Sequence, residues 1–266
     1  MLKGGVEMSD ASTLSSLRNA LRVLESFSVD DPEKGVTEIA QESGLGKSTV
    51  HRVLTTLEEA GYVRKDDSTR RYRLGLSVLS LSGVLISNLE IYREAQHLLE
   101  VFANRFDEAV HLAVLEDYHT VYISKIESTH PVRILTHLGR KNPIHCTSSG
   151  KVILAFQDDA MVEEVIARGL ERFTPATVTD ETRLRADLAE IHSLGYAISH
   201  GEMRAGVSSV AVPVWDYTRQ VVGAVTVVGP TQRFTPTKVQ DLTKQLQSVG
   251  AEISRRLGYY PRGRQA

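Results

Sequence analysis

Leu14, Leu17, Leu21, Leu24 and Phe27 recur at spacings of three and four, the period of one helical face, with Ser12 or Thr13 available as a cap. Asp31-Pro32 and Gly35 then break the chain. A short second helix is predicted over residues 36–43, burying Ile39 and Ala40, and Gly44-Leu45-Gly46 turns the corner. A third helix over residues 47–60 buries Val50, Val53, Leu54 and Leu57 and stops at Gly61. Ala40 is small because the third helix must cross closely over it, and Gly44 permits the left-handed backbone of a tight turn. Two short strands follow, 62–65 and 70–74, around Asp66-Asp67-Ser68-Thr69. Together these elements predict a winged helix-turn-helix.

Residues 76–89 are apolar on more than one helical face, with Leu76, Leu79, Val84 and Leu85 interleaved among serines. A lone helix of that kind leaves apolar surface in water, which predicts contact with a second chain. Beyond it, a helix is predicted near 94–106, then strands at 109–115, 120–126, 132–136, 196–199, 208–214 and 221–228. Helices are predicted at 149–156, 160–168, 181–194 and 236–257. The fold class is therefore α+β, with an antiparallel sheet flanked by helices. The expected organisation is an arm (1–13), a DNA-binding domain (14–75), a linker helix (76–92), an effector domain (93–260) and a tail (261–266).

The third helix leaves a polar face of Lys47, Ser48, Thr49, His51, Arg52 and Thr55, a row of hydrogen-bonding groups that fits a major groove of double-stranded DNA. From Arg64 to Arg73 five Lys or Arg stand against two Asp, so the wing is locally positive although the chain's net charge is -2. Arg64, Lys65, Arg70 and Arg71 are the candidate phosphate contacts, which position the helix without reading sequence. Two-fold pairing of such units suits a near-palindromic operator.

Other chemistry is weaker. Gly150-Lys151 has the wrong spacing for a phosphate-binding loop, with His145 where the first glycine belongs and Val152 after the lysine. His145-Cys146 are neighbours in sequence and would point apart on a strand, so packing is the expected role rather than nucleophilic catalysis. The other histidines outside the third helix, His111 among them, form no short paired ligand motif. No catalytic constellation, metal or cofactor is expected. Thr147-Ser148-Ser149-Gly150 opens a predicted helix, where it serves equally as an ordinary cap or as an anion cradle for a carboxylate. A single cysteine, no secretory leader and no apolar run of about 20 residues fit a protein of the reducing cytoplasm, with no membrane partner.

The segments Ser16-Leu17-Arg18-Asn19-Ala20-Leu21, Gly44-Leu45-Gly46-Lys47-Ser48-Thr49-Val50-His51-Arg52 and Tyr72-Arg73-Leu74-Gly75 resemble the IclR family of transcriptional regulators. The resemblance continues through Pro143-Ile144-His145-Cys146-Thr147-Ser148-Ser149-Gly150-Lys151, Gly195-Tyr196-Ala197, Gly206-Val207, Pro213-Val214, Val228-Gly229-Pro230 and Ile253-Ser254-Arg255-Arg256-Leu257-Gly258, covering nearly the whole chain. It implies a homodimer or dimer of dimers, a GAF-like effector domain, a small organic-acid effector and no enzymatic activity. Carried over by position, the effector site is Ser148, Ser149, Ser199, Val207, Ser209, Thr226 and Val228, with Ile134 as an apolar wall. Two departures matter: Ser199 stands where many members have an acid, and Val228 where some have serine. A less polar, roomier pocket follows, suited to an aromatic or longer acid. The competing reading is a constitutive DNA-binding protein whose C-terminal domain only oligomerises.

Overall fold

The computed structural model describes residues 14–130 and 137–260, and the chain divides into two compact units at Ile86/Ser87. The predicted strand at 132–136 with Ile134, the arm with Ser12 and Thr13, and the tail lie outside the described residues.

The first unit contains α1 (Ser15–Glu25), α2 (Val36–Ser43), α3 (Lys47–Glu59), β1 (Val63–Lys65) and β2 (Tyr72–Leu74), and α4 (Leu76–Asn88) begins in it. Its core is built from Val23, Phe27, Ile39, Ala40, Val50, Leu54, Leu57, Val63 and Tyr72. Gly44 caps α2 at φ 68°, a left-handed conformation in which a side chain would be strained, and its N–H donates to the Ala40 carbonyl. Glu38 reaches back to the Gly35 N–H at 2.7 Å, fixing the start of α2. Residue 34 pairs with Tyr72 through two backbone hydrogen bonds, 2.8 and 2.9 Å, so the wing is stitched to the segment ahead of α2. Val53 is only half-buried, at the margin of the core rather than inside it.

The leucine stripe of α1 behaves differently from its period. Leu14, Leu17 and Leu21 face solvent, and the face that packs is Val23 and Phe27 with Leu24 at its edge. Helical periodicity marks a face without saying what covers it. The same holds in α4, where no residue is buried and Leu76 is 81% exposed.

The second unit contains α5 (Glu90–Phe106), β3 (Ala109–Glu116), β4 (His119–Ile126), β5 (Lys141–Pro143), α6 (Ser148–Leu154), α7 (Asp159–Ala167), α8 (Glu181–Leu194), β6 (Ala197–His200), β7 (Val207–Trp215), β8 (Val221–Pro230) and α9 (Pro236–Arg256). The strands form one sheet in the order β5-β4-β3-β8-β7-β6, with each described neighbouring pair antiparallel. α5 starts at Glu90 and buries Ile91 in this unit's core, so the stretch assigned by sequence to the end of the linker belongs to the sheet-bearing unit. β5 was not anticipated, because three residues show no alternation.

Alternation along each strand separates two faces. Val110, Leu112, Val210, Val212, Val225 and Val227 pack against α5 and α9 through Leu99, Leu242 and Leu246. Ala211 and Ala224 point to the other side, where Ile144, Val152, Ile153, Leu184 and Leu188 cover them. That second face, with its small residues, carries the polar side chains described next.

Candidate functional site

Lys47, Ser48, His51, Arg52 and Thr55 all lie on the exposed side of α3, opposite Val50, Leu54 and Leu57. Thr49 is half-buried at the edge of a groove between α1 and α3 that Arg52 also lines. Thr55 donates its hydroxyl to the His51 carbonyl at 3.0 Å, which leaves the Oγ lone pairs as its outward function. Arg64 and Arg70 are exposed, and Lys65 is half-buried with Nζ 5.4 Å from the centre of the Tyr72 ring. Asp66 accepts from Ser68 and Thr69 at the wing tip, and those hydrogen bonds draw its carboxyl pKa to about 2.

Arg71 departs from the sequence reading. Its Nε and Nη2 donate to the Glu33 carbonyl and its guanidinium pairs with Glu38 at 2.9 Å. Its donors are turned inward, so it fastens the wing to α2 instead of reaching for phosphate. The sequence showed only its charge, and the acceptors lie more than thirty positions away.

The residues predicted for the effector site, Ile134 aside, converge on one sheet face. Strand register aligns Ser199 with Ser209, Ser209 with Val228, and Val228 with Ala109, so one transverse row crosses β6, β7, β8 and β3. The adjacent row runs Ala197, Ala211, Thr226, His111 and Lys125. Directly opposed residues share a face. α6 lies over it, and Ser148 Oγ donates to Ser209 Oγ at 2.7 Å. Val207 begins β7 at the rim, two residues before Ser209 and on the same face. All seven described site residues are thus on or above this surface.

Thr147 caps α6, its Oγ1 accepting from Gly150 N–H at 2.9 Å, and Ser149 shares a hydrogen bond with the Tyr122 hydroxyl. The serine hydroxyls therefore hold the site together, and the first-turn amides of Ser148 and Ser149 have no partner within the helix itself. The Lys151 side chain is 4% exposed and spans Asp187 at 3.0 Å and Glu202 at 2.7 Å. Thr177 and Thr174 donate to the Glu202 carbonyl at 2.6 and 3.2 Å, so the loop after β6 is clamped from both sides. The charge of Lys151 serves this clamp and not a phosphate loop.

The structure also separates His145 and Cys146 chemically. His145 Nε2 lies 3.0 Å from the Glu171 carbonyl, and burial holds the imidazole below its ordinary value. Burial pushes the Cys146 thiol up to about 12, and Sγ lies 3.6 Å from Met203 Sδ. A thiol so held is protonated and a poor nucleophile. Among the described residues, no group of three or more His, Cys, Asp or Glu is placed to hold a metal, and no helix is long and apolar enough to cross a membrane.

Sequence reasoning did not single out His111 and Tyr122, which the structure places beside the predicted effector residues. His111 is fully buried, its ring 4.6 Å from that of Tyr122, and desolvation, with the nearby Lys125 charge, drives its pKa down to about 3. The available signal was a lone histidine within the otherwise apolar run Ala109-Val110-His111-Leu112-Ala113.

Two domain families match the chain. Residues 16–67 match the IclR helix-turn-helix domain, and residues 84–255 match the family described as bacterial transcriptional regulator IclR, C-terminal. The HTH-type transcriptional regulator XynR of Escherichia coli is 32% identical over 248 residues, spanning 92% of this chain and 98% of that protein. A crystal structure of an IclR transcriptional regulator from Alicyclobacillus acidocaldarius superposes with a TM-score of 0.83 at 31% identity, covering 93% of this chain and 100% of that one. An IclR homologue from Microbacterium hydrocarbonoxydans, crystallised with 4-hydroxybenzoate, superposes with a TM-score of 0.81 at 28% identity, covering 91% of this chain and 99% of that one.

Proposed function

We propose, since this chain belongs to the IclR family of bacterial transcriptional regulators and is a ligand-responsive DNA-binding protein, that it controls catabolic genes in response to an aromatic or longer organic acid. The observation that carries DNA recognition is the outward row Ser48, His51 and Arg52 on α3, opposite a complete core. Lys47, Arg64, Lys65 and Arg70 supply phosphate contacts around it, and Arg71 keeps the wing in place. The chain works in the cytoplasm as a homodimer or dimer of dimers. Exposed Leu76, Leu79, Val84 and Leu85 on α4 support the dimer, since each leucine fully buried there stabilises association by roughly 1.5–3 kcal/mol. Two copies then present two recognition helices to a near-palindromic operator. The effector acts by binding one arrangement of the two DNA-binding units more tightly than another, through α4.

Fluorescence anisotropy on DNA upstream of the chain's own gene tests this reading. Specific binding is expected, with a metabolite-dependent affinity. Arg52→Ala is expected to weaken it by about 1–3 kcal/mol if Arg52 reaches a base edge. Affinity untouched by Arg52→Ala removes that residue from the recognition surface, and affinity insensitive to every organic acid favours the constitutive reading.

The effector class rests on the site's own residues. The row Ser199, Ser209, Val228, Ala109 is small and uncharged, and the Lys151 ammonium is occupied by Asp187 and Glu202. Such a floor suits an apolar ring and would hold a carboxylate through neutral donors. The 4-hydroxybenzoate in the Microbacterium homologue supports the same class here. Calorimetric titration is expected to show binding of benzoate-type acids. Tight binding of glyoxylate or pyruvate with none for aromatic acids contradicts the proposal.

A further inference from the structure

We infer that His111 is the specificity-determining residue of the effector site, forming with Thr226 a neutral hydrogen-bonding pair that selects acids carrying an uncharged polar substituent, a phenolic hydroxyl above all. The inference rests on the organic-acid reading of this site and adds which end of the acid is read and by what.

Geometry places the pair. Thr226 on β8 lies directly opposite His111 on β3, one row in from Val228. Both share the face carrying Ser209, whose hydroxyl α6 reaches through Ser148. The Thr226 hydroxyl is buried, the residue being 2% exposed, and has no hydrogen-bond partner among the described residues. A buried hydroxyl without a partner is destabilising by about 1–3 kcal/mol, so its presence beside Ala197 and Ala211 calls for a visiting group. The row's other members on β6 and β7 are Ala197 and Ala211, which offer no polarity.

Chemistry then narrows the visitor. Burial keeps His111 uncharged across the physiological range, with its pKa near 3, so it offers a neutral imidazole and not a cation. A threonine hydroxyl can both donate and accept. Between them an alcohol or phenol is satisfied without carrying charge into the sheet. The two charged groups beside this corner compensate each other: Lys125, opposite His111 on β4, pairs with Glu127. Tyr122 packs its ring on His111 and ties its hydroxyl to Ser149, which fixes the imidazole plane beside α6. A site built to hydrogen-bond a hydroxyl discriminates strongly against the analogue that lacks it, because the buried Thr226 hydroxyl is then left unpaired.

The test is calorimetric titration of the full chain and three variants with benzoate and its para-hydroxy derivative. The wild type is expected to bind the hydroxylated acid at least about tenfold more tightly, equivalent to about 1.4 kcal/mol. His111→Gln, which keeps a neutral hydrogen-bonding side chain, is expected to retain most of that preference. His111→Leu and Thr226→Val are expected to bring the ratio to about one, the larger loss falling on the hydroxylated acid. Because Thr226→Val removes an orphan hydroxyl at constant shape, its unliganded form is expected to melt no lower than wild type. Should His111→Leu not fold, Thr226→Val decides the outcome alone. A wild type that binds benzoate equally well, or a preference that survives both apolar variants, overturns the inference while leaving the organic-acid site standing. Failure of both probes to bind the wild type defeats the aromatic reading and this inference with it.

Discussion

Replacing Gly150 by alanine is expected to collapse the effector site and to destabilise the sheet-bearing unit by about 3 kcal/mol or more. The added Cβ would lie 2.1 Å from the Ile144 carbonyl oxygen and 2.7 Å from the Ile144 Cα. Backbone on both sides of that contact cannot turn away as a side-chain tip does. α6 would have to lift from residues 143–146, taking Ser148 away from Ser209 and Ser149 away from Tyr122. For a unit of this size the melting midpoint is expected to fall by roughly 6–12 °C, and organic-acid binding to vanish with it. Differential scanning calorimetry of the full chain reads the first effect and titration the second. A variant melting with the wild type would mean that α6 does not press on that segment.

Acid is expected to destabilise the protein through His111. Its folded pKa of about 3 lies below the ordinary 6.5, so the unfolded chain takes up the proton first as pH falls. The stability that a neutral His111 contributes is full above about pH 6.5 and is lost progressively as pH falls toward 3. Between pH 6.5 and 4.5 the loss is about 2–3 kcal/mol from this one group. Glu108 acts in a lower window. Its charge is held by Arg233 and Lys238 at 2.6 Å each, which keeps its pKa below the usual 4.5, so its contribution is lost only as pH falls through that lowered value. Denaturant midpoints of wild type and His111→Gln, measured from pH 7 to 4.5, separate the two. The wild-type curve is expected to fall more steeply, and parallel curves would show that His111 is not kept neutral by its surroundings.

Much of this architecture was legible in one dimension. The three helices of the DNA-binding unit, the Gly44 turn and the basic wing each announce themselves within a window of twenty residues, because side-chain period and left-handed glycine are local properties. The described strands of the second unit other than β5 were readable for the same reason. Lys151 illustrates the limit. Its place after Gly150 suggested phosphate chemistry and its spacing refuted that, but its real employment depends on Asp187 and Glu202, thirty-six and fifty-one residues on.

The sequence by itself determined the kinds of elements, their order and which side of each is apolar. Tertiary structure decided which elements lie side by side and what covers each face. Only the pairing of β3 with β8 brings His111 opposite Thr226, 115 positions apart. Only the return of the wing across the segment before α2 turns Arg71 from a free cation into a tether. Only packing shows that Leu17 and Leu21 of α1 look outward while Val23 looks in. The physical reason is common to all three: periodicity is set by the geometry of a single backbone segment, whereas strand order, register and burial are set by contacts between segments that no short window contains.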